Sequence, residues 1–134
     1  PSPQRLAAAT LEELEPLRCG FRAKYLLDAA RRVSSGQVQL DAIPQMPLEQ
    51  ARAHLMQIVG VGPKVADCAL LYGFHRLECC PMDVWMKRVF AALYPNGLPD
   101  CAQDFIGIAQ QYLFHYARCC PQILETPEKE AALV

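Results

Sequence analysis

The sequence carries almost no net charge: 13 lysines and arginines stand against 14 aspartates and glutamates. No global field of either sign therefore advertises a partner. It has no apolar run long enough to cross a bilayer and no secretory leader pattern, so no membrane partner is expected and a reducing cytosol or nucleus is the expected setting. Its cysteines number seven, an odd count, which argues against a secreted disulfide framework. There is no internal repeat, no low-complexity tract and no defensible strand pattern. A chain that opens on Pro1 in place of methionine is expected to be a fragment or a trimmed form.

What is present is apolar and helical. Hydrophobic residues make up 52% of 134 positions, ample for a core and enough for one domain at most. The charge is unevenly spread. Arg18, Arg22, Lys24, Arg31 and Arg32 face only Asp28 in one stretch, which leaves room for a local phosphate-binding face. Thr10 and Glu13 form a capping-box pattern that opens a short helix through Leu17, broken by Gly20. A second helix is expected from Phe21 to Ser34, with Tyr25, Leu26, Ala29, Ala30 and Val33 on one face. Residues 37–47, with two prolines, read as a loop. Further helices are expected from Leu48 to Ile58, Pro63 to Gly73, Asp83 to Leu93, and Asp100 to Arg118, with Asp83 and Asp100 as N-caps and Pro121 as a stop. The expected architecture is all-α, about six helices over residues 1–124, with a tail over 125–134.

The stretch from Leu55 to Cys68, LMQIVGVGPKVADC, reads as helix, tight glycine turn, helix. Gly60-Val61-Gly62 supplies backbone freedom at the turn, and Pro63 suits the first helical position. The amides of Gly60, Gly62 and Lys64 are then orphan donors at a helix N-terminus, a ready anion site. Lys64 can be a phosphate-binding surface lysine or a nucleophile. Asp83 can be a plain N-cap or a carboxylate with chemistry, and the two roles are compatible.

The hairpin with its lysine, followed by Pro81-Met82-Asp83-Val84, resembles the helix–hairpin–helix/Gly-Pro-Asp superfamily of DNA glycosylases. GVGPKVADC is most similar to the 8-oxoguanine DNA glycosylases, and the resemblance covers about Leu17 to Arg118. It implies an enzyme that removes 8-oxoguanine from duplex DNA, with AP lyase activity and no cofactor. The implied nucleophile is Lys64, whose amine attacks C1′ and forms a Schiff base. Proton loss from that amine would be assisted by burial or neighbouring positive charge. Asp83 is implied to stabilise sugar charge, orient the amine or relay a proton. Cys68, Gln110 and Phe114 are implied to line the base pocket, with Gln110 bonding the edge of the extruded base and Phe114 stacking on it. Apart from the resemblance, Cys68 and Phe114 read as core and Gln110 as surface. Phe21 and Arg22 are implied to wedge the duplex and read the orphaned cytosine; the alternative is Phe21 packed inward at an ordinary helix start. Gly60, Val61, Gly62 and Lys87 complete the implied DNA contacts, with Arg88 beside them facing phosphate or solvent. The expected partner is double-stranded DNA carrying an oxidised purine, and the expected state is monomeric.

Three departures qualify the likeness. Trp85 stands where eukaryotic relatives carry a histidine, so a charged phosphate contact is not expected there. Cys101, Cys119 and Cys120 lack the spacing and the fourth ligand of an iron–sulfur loop, and the doublets Cys79-Cys80 and Cys119-Cys120 do not suit zinc. The implied metal is at most a monovalent cation on the backbone carbonyls of Met56, Ile58 and Val61. The family's N-terminal β-rich domain has no counterpart in the sequence, so the chain is expected to be the C-terminal catalytic part, with inert or partner-dependent behaviour as the rival expectation. The hairpin is also compatible with a non-catalytic DNA-binding module, and the superfamily with a glycosylase for alkylated purines, although enzymes of that kind usually lack the lysine. A bacterial protein with this sequence would be cytoplasmic, at the nucleoid, and a eukaryotic one nuclear.

Overall fold

The computed structural model describes residues 1–124, so the expected tail at 125–134 lies outside the described residues. Among the described residues there are seven α-helices, short 3-10 segments and no strand. The chain divides into two compact units, Pro1–Leu70 and Leu71–Val134.

In the first unit α1 (Pro3–Ala7) is a short helix that the sequence pattern did not reveal; Ser2 Oγ caps it by accepting from the Arg5 amide. It packs on α3 (Ala23–Ser34). The capping box forms as expected at α2 (Leu11–Leu14): Thr10 Oγ1 accepts from the Glu13 amide, and Glu13 accepts from the Thr10 amide. The backbone then passes through left-handed Arg18 and Gly20 (φ 51° and 56°), and a 3-10 turn at Gly20–Arg22 leads into α3. The core face of α3 differs from the expected one: Leu27 and Ala30 are buried and Leu26 is exposed. Residues read as a loop contain a 3-10 helix, Leu40–Gln45, which buries Ile43 completely and accommodates Pro44 in its tighter winding. Helix α4 (Leu48–Leu55) ends three residues before the expected Ile58, and α5 (Pro63–Gly73) has the expected bounds and carries the chain into the second unit.

In the second unit α6 (Val84–Leu93) and α7 (Ile106–Cys119) pack together. Met86, Val89 and Ala117 form the buried centre, and Met82, Trp85, Phe90, Leu93, Leu113, Ile123 and Leu124 pack around it. Asp100 does not cap the last helix. Pro99 is the cap of a 3-10 segment, Asp100–Phe105, and α7 begins only at Ile106. Gly107 near its start has no room for a side chain: a Cβ would lie 2.4 Å from the Cys79 carbonyl oxygen and 2.5 Å from Leu71 Cδ1.

Candidate functional site

The hairpin joins the C-terminus of α4 to the N-terminus of α5. The Val61 amide donates to the Ile58 carbonyl at 3.0 Å, closing the turn, and the Ala66 amide donates to the Gly62 carbonyl at 2.9 Å, opening α5. Gly60 takes φ 85°, a left-handed conformation that strains any side chain. It is doubly constrained, because a Cβ there would lie 2.6 Å from Tyr25 Cγ and Cδ2. The ring of Tyr25 on α3 thus rests against the turn. One helical turn further along α3, Asp28 Oδ2 accepts from the Val59 amide at 2.8 Å and from Arg32 Nε at 2.8 Å. The Val59 amide lowers the Asp28 pKa below the usual carboxylate value, and Arg32 and Arg31 reinforce this against the opposing effect of burial. The amides of Gly60, Gly62 and Lys64 make no hydrogen bond among the described residues. Free amide donors at a helix start are a general setting for an anion.

The two helices of the hairpin are braced by an ion pair. Arg52 Nε on α4 lies 2.8 Å from Oδ1 of buried Asp67 on α5, and Arg52 also pairs with Glu49. Hydrogen bonds to Glu49 and then to Asp67 raise the Arg52 pKa, so the guanidinium stays charged. On α5, Lys64 is exposed and Cys68 half-buried, four residues apart and so on neighbouring positions of one face.

Ahead of α3, Phe21 is 65% exposed and is not packed inward. Its ring meets that of Tyr25 edge to face, with centroids 6.1 Å apart and planes at 84°. The Arg22 guanidinium lies over the Phe21 ring, 4.7 Å from its centroid, and the Lys24 ammonium lies 5.3 Å from the centroid of Tyr25. An apolar blade and a cation thus stand side by side at the surface.

In the second unit Asp83 caps α6. Its Oδ1 accepts from the Met86 amide at 2.8 Å, while Oδ2 has no hydrogen-bond partner among the described residues. One oxygen fixes the carboxylate and the other remains available. Lys87 and Arg88 are exposed on α6. Trp85 packs against the unit's apolar centre, and its buried Nε1 lacks a partner among the described residues. On α7 the amide and the aromatic reverse the arrangement that helical packing alone suggests. Gln110 is only 4% exposed and accepts from the Gln111 side chain, whereas Phe114 is 38% exposed.

Among the described residues no group of three or more histidine, cysteine, aspartate or glutamate side chains is placed to hold a metal ion. The backbone offers a different donor set. Met56 closes the C-terminus of α4, and its carbonyl and that of Val61 accept no hydrogen bond among the described residues; the Ile58 carbonyl accepts one, from Val61. Only the Met56 carbonyl lies at the C-terminal, negative end of α4; Ile58 and Val61 belong to the turn that follows.

Sequence reasoning missed four residues: Tyr25 as a hairpin contact, Asp28, Arg52 and Asp67. Two signals were available. Asp28 is the lone acid in a basic stretch, and Asp67 is a carboxylate within the apolar pattern of α5.

No protein-family model matches the chain. Individual relatives do. A protein of Methanothermobacter thermautotrophicus named a probable N-glycosylase/DNA lyase is 34% identical over 119 residues, covering 81% of this chain and 38% of that protein. Among solved structures, MBOgg1 in complex with a low-affinity DNA ligand aligns with a TM-score of 0.78 and 43% identity, over 90% of this chain and 45% of that one. The 8-oxoguanine glycosylase/lyase of Clostridium acetobutylicum, in complex with double-stranded DNA containing cytosine opposite 8-oxoG, aligns with a TM-score of 0.74 and 34% identity, over 88% and 44%. The chain therefore spans less than half the length of these relatives. An all-helical fold with a lysine-bearing glycine hairpin and an aspartate-capped helix after it defines a helix–hairpin–helix glycosylase domain. The chain belongs to the helix–hairpin–helix/Gly-Pro-Asp superfamily, and it is similar to a probable N-glycosylase/DNA lyase and to a solved 8-oxoguanine glycosylase/lyase.

Proposed function

We propose that the protein is a bifunctional DNA glycosylase that removes 8-oxoguanine from duplex DNA and nicks the resulting abasic strand by β-elimination. The observation that carries this reading is Lys64, exposed at the second position of α5 beside three unpaired amides. A phosphate held by those amides sets the sugar–phosphate backbone next to the amine. Two solved relatives in complex with DNA, one of them on a duplex with cytosine opposite 8-oxoG, support the substrate class.

In this mechanism Phe21 enters the base stack, and Arg22 meets the orphaned cytosine. Phe114 stacks on the extruded base, Gln110 bonds its edge, and Cys68 is assigned to the base pocket. After losing a proton, the Lys64 amine forms a bond to C1′ as the C1′–N bond breaks, and the base leaves with the bonding electrons and takes up a proton. Asp83, with one oxygen free, serves to stabilise positive charge on the sugar, to orient the amine or to relay a proton. Ring opening yields the Schiff base, which acidifies C2′–H. Loss of that proton expels the 3′ phosphate, and water then releases Lys64. Lys87 and the Gly60-Val61-Gly62 turn hold backbone phosphates. A monovalent cation on the carbonyls of Met56, Ile58 and Val61 would add positive charge at the turn. The protein acts as a monomer where DNA resides, at the nucleoid or in the nucleus, and no described helix is long and apolar enough to cross a membrane.

Borohydride trapping tests this reading. The chain is incubated with a duplex carrying 8-oxoguanine opposite cytosine and, separately, with an abasic duplex. Covalent bands on both, absent with Lys64→Gln, are expected. A band on abasic DNA alone would show lyase chemistry without lesion recognition. No band from folded, DNA-bound protein would overturn the enzymatic reading in favour of a binding module.

A further inference from the structure

We propose that Tyr25 is a positioning residue that couples phosphate anchorage at the hairpin to insertion of Phe21 into the duplex. This rests on the DNA-glycosylase function proposed for the chain, which uses the hairpin and Phe21 but assigns Tyr25 no part.

One ring touches both devices. On one side Tyr25 occupies the space that a Gly60 side chain would need, 2.6 Å from the position of its Cβ. On the other it meets Phe21 edge to face at 6.1 Å. Aromatic pairs in this geometry are directional, so displacement of one ring is felt by the other. Three residues on, Asp28 holds the neighbouring turn residue through the Val59 amide. Consecutive hairpin residues, 59 and 60, are thereby fixed to consecutive turns of one helix. A phosphate pulling on the hairpin and a base step pressing on Phe21 load the same end of α3.

The ring performs this task and the hydroxyl does not: the Tyr25 hydroxyl has no hydrogen-bond partner among the described residues. Phenylalanine should therefore replace tyrosine without loss, and a side chain lacking the ring should not. Phosphate binding should survive that loss, because the free amides remain and Asp28 still holds Val59.

The test uses the full 134-residue chain. The probe is a duplex with a tetrahydrofuran abasic analogue opposite cytosine and 2-aminopurine beside it, which brightens on unstacking. Affinity is read by anisotropy on this duplex and on an undamaged one, and unstacking by stopped-flow fluorescence. Wild type and Tyr25→Phe should agree within about twofold in both. Tyr25→Ala should bind undamaged duplex nearly as tightly while unstacking slows about tenfold or more. Tyr25→Leu, which keeps apolar bulk against Gly60, replaces the alanine variant if that melts early, with the same expectation. Unstacking at the wild-type rate in the ringless variants overturns the proposal. So does an equal loss of binding and unstacking, or a Tyr25→Phe defect. Wild-type protein that fails to bind DNA removes the glycosylase reading itself, and the coupling with it. Wild-type protein that binds without any fluorescence change removes the wedge and the coupling alone.

Discussion

Arg52 Nε lies 2.8 Å from Asp67 Oδ1 and joins the two helices of the hairpin. Asp67 is buried, so removing Arg52 leaves a carboxylate that water reaches poorly. Arg52→Ala should lower stability by about 2–4 kcal/mol in urea unfolding. The joint replacement Arg52→Met with Asp67→Leu should recover most of that loss, because no buried charge remains. A single-variant loss below about 0.5 kcal/mol would mean the pair behaves as a surface contact.

Asp28 gives the hairpin an acid-sensitive tether. Its folded-state pKa is depressed, first by the Val59 amide and then by Arg32 and Arg31. A depressed carboxylate contributes stability above its unfolded pKa and loses it as pH falls through the folded value. Unfolding free energy should therefore fall on acidification below the ordinary aspartate range. Asp28→Asn should be less stable near neutrality and show a shallower acid limb. Part of the limb should persist in that variant. Glu78 is also lowered: burial opposes the shift, but its own backbone amide and Arg76 outweigh it. An unchanged acid limb in Asp28→Asn would remove the tether.

One oxygen of Asp83 caps α6 by accepting from the Met86 amide, and the proposed mechanism gives the carboxylate a second role. Asparagine caps a helix about as well as aspartate, so Asp83→Asn should stay within a few tenths of a kcal/mol of wild-type stability, whereas Asp83→Ala should lose about 1 kcal/mol. Both should yield far less borohydride adduct than wild type, because neither carries a carboxylate. Full adduct formation by Asp83→Asn would reduce Asp83 to a cap.

Gly107 marks the closest packing of α7. A methyl group there meets a carbonyl oxygen at 2.4 Å, and the Gly107 amide donates to the Leu77 carbonyl at 2.9 Å, so the helix has little freedom to shift away. Gly107→Ala should cost about 1–3 kcal/mol despite the better helix propensity of alanine. A stabilised variant would show that the connector at residues 77–79 yields easily.

The sequence alone determined the features that depend on neighbours along the chain. The all-helical class, the bounds of α5 and α6, the capping box at Thr10 and the Asp83 cap all arise from side chains within four residues of the backbone they serve. The glycine hairpin and its lysine are legible for the same reason. Only the tertiary structure decided what touches that hairpin. Asp28 reaches Val59 across 31 residues and Arg52 reaches Asp67 across 15, while Tyr25 fills the space beside Gly60. It also decided that Gln110 is buried and Phe114 exposed, against their polarity. Burial is a property of what a helix face meets, and a periodic pattern names the face without naming its neighbour.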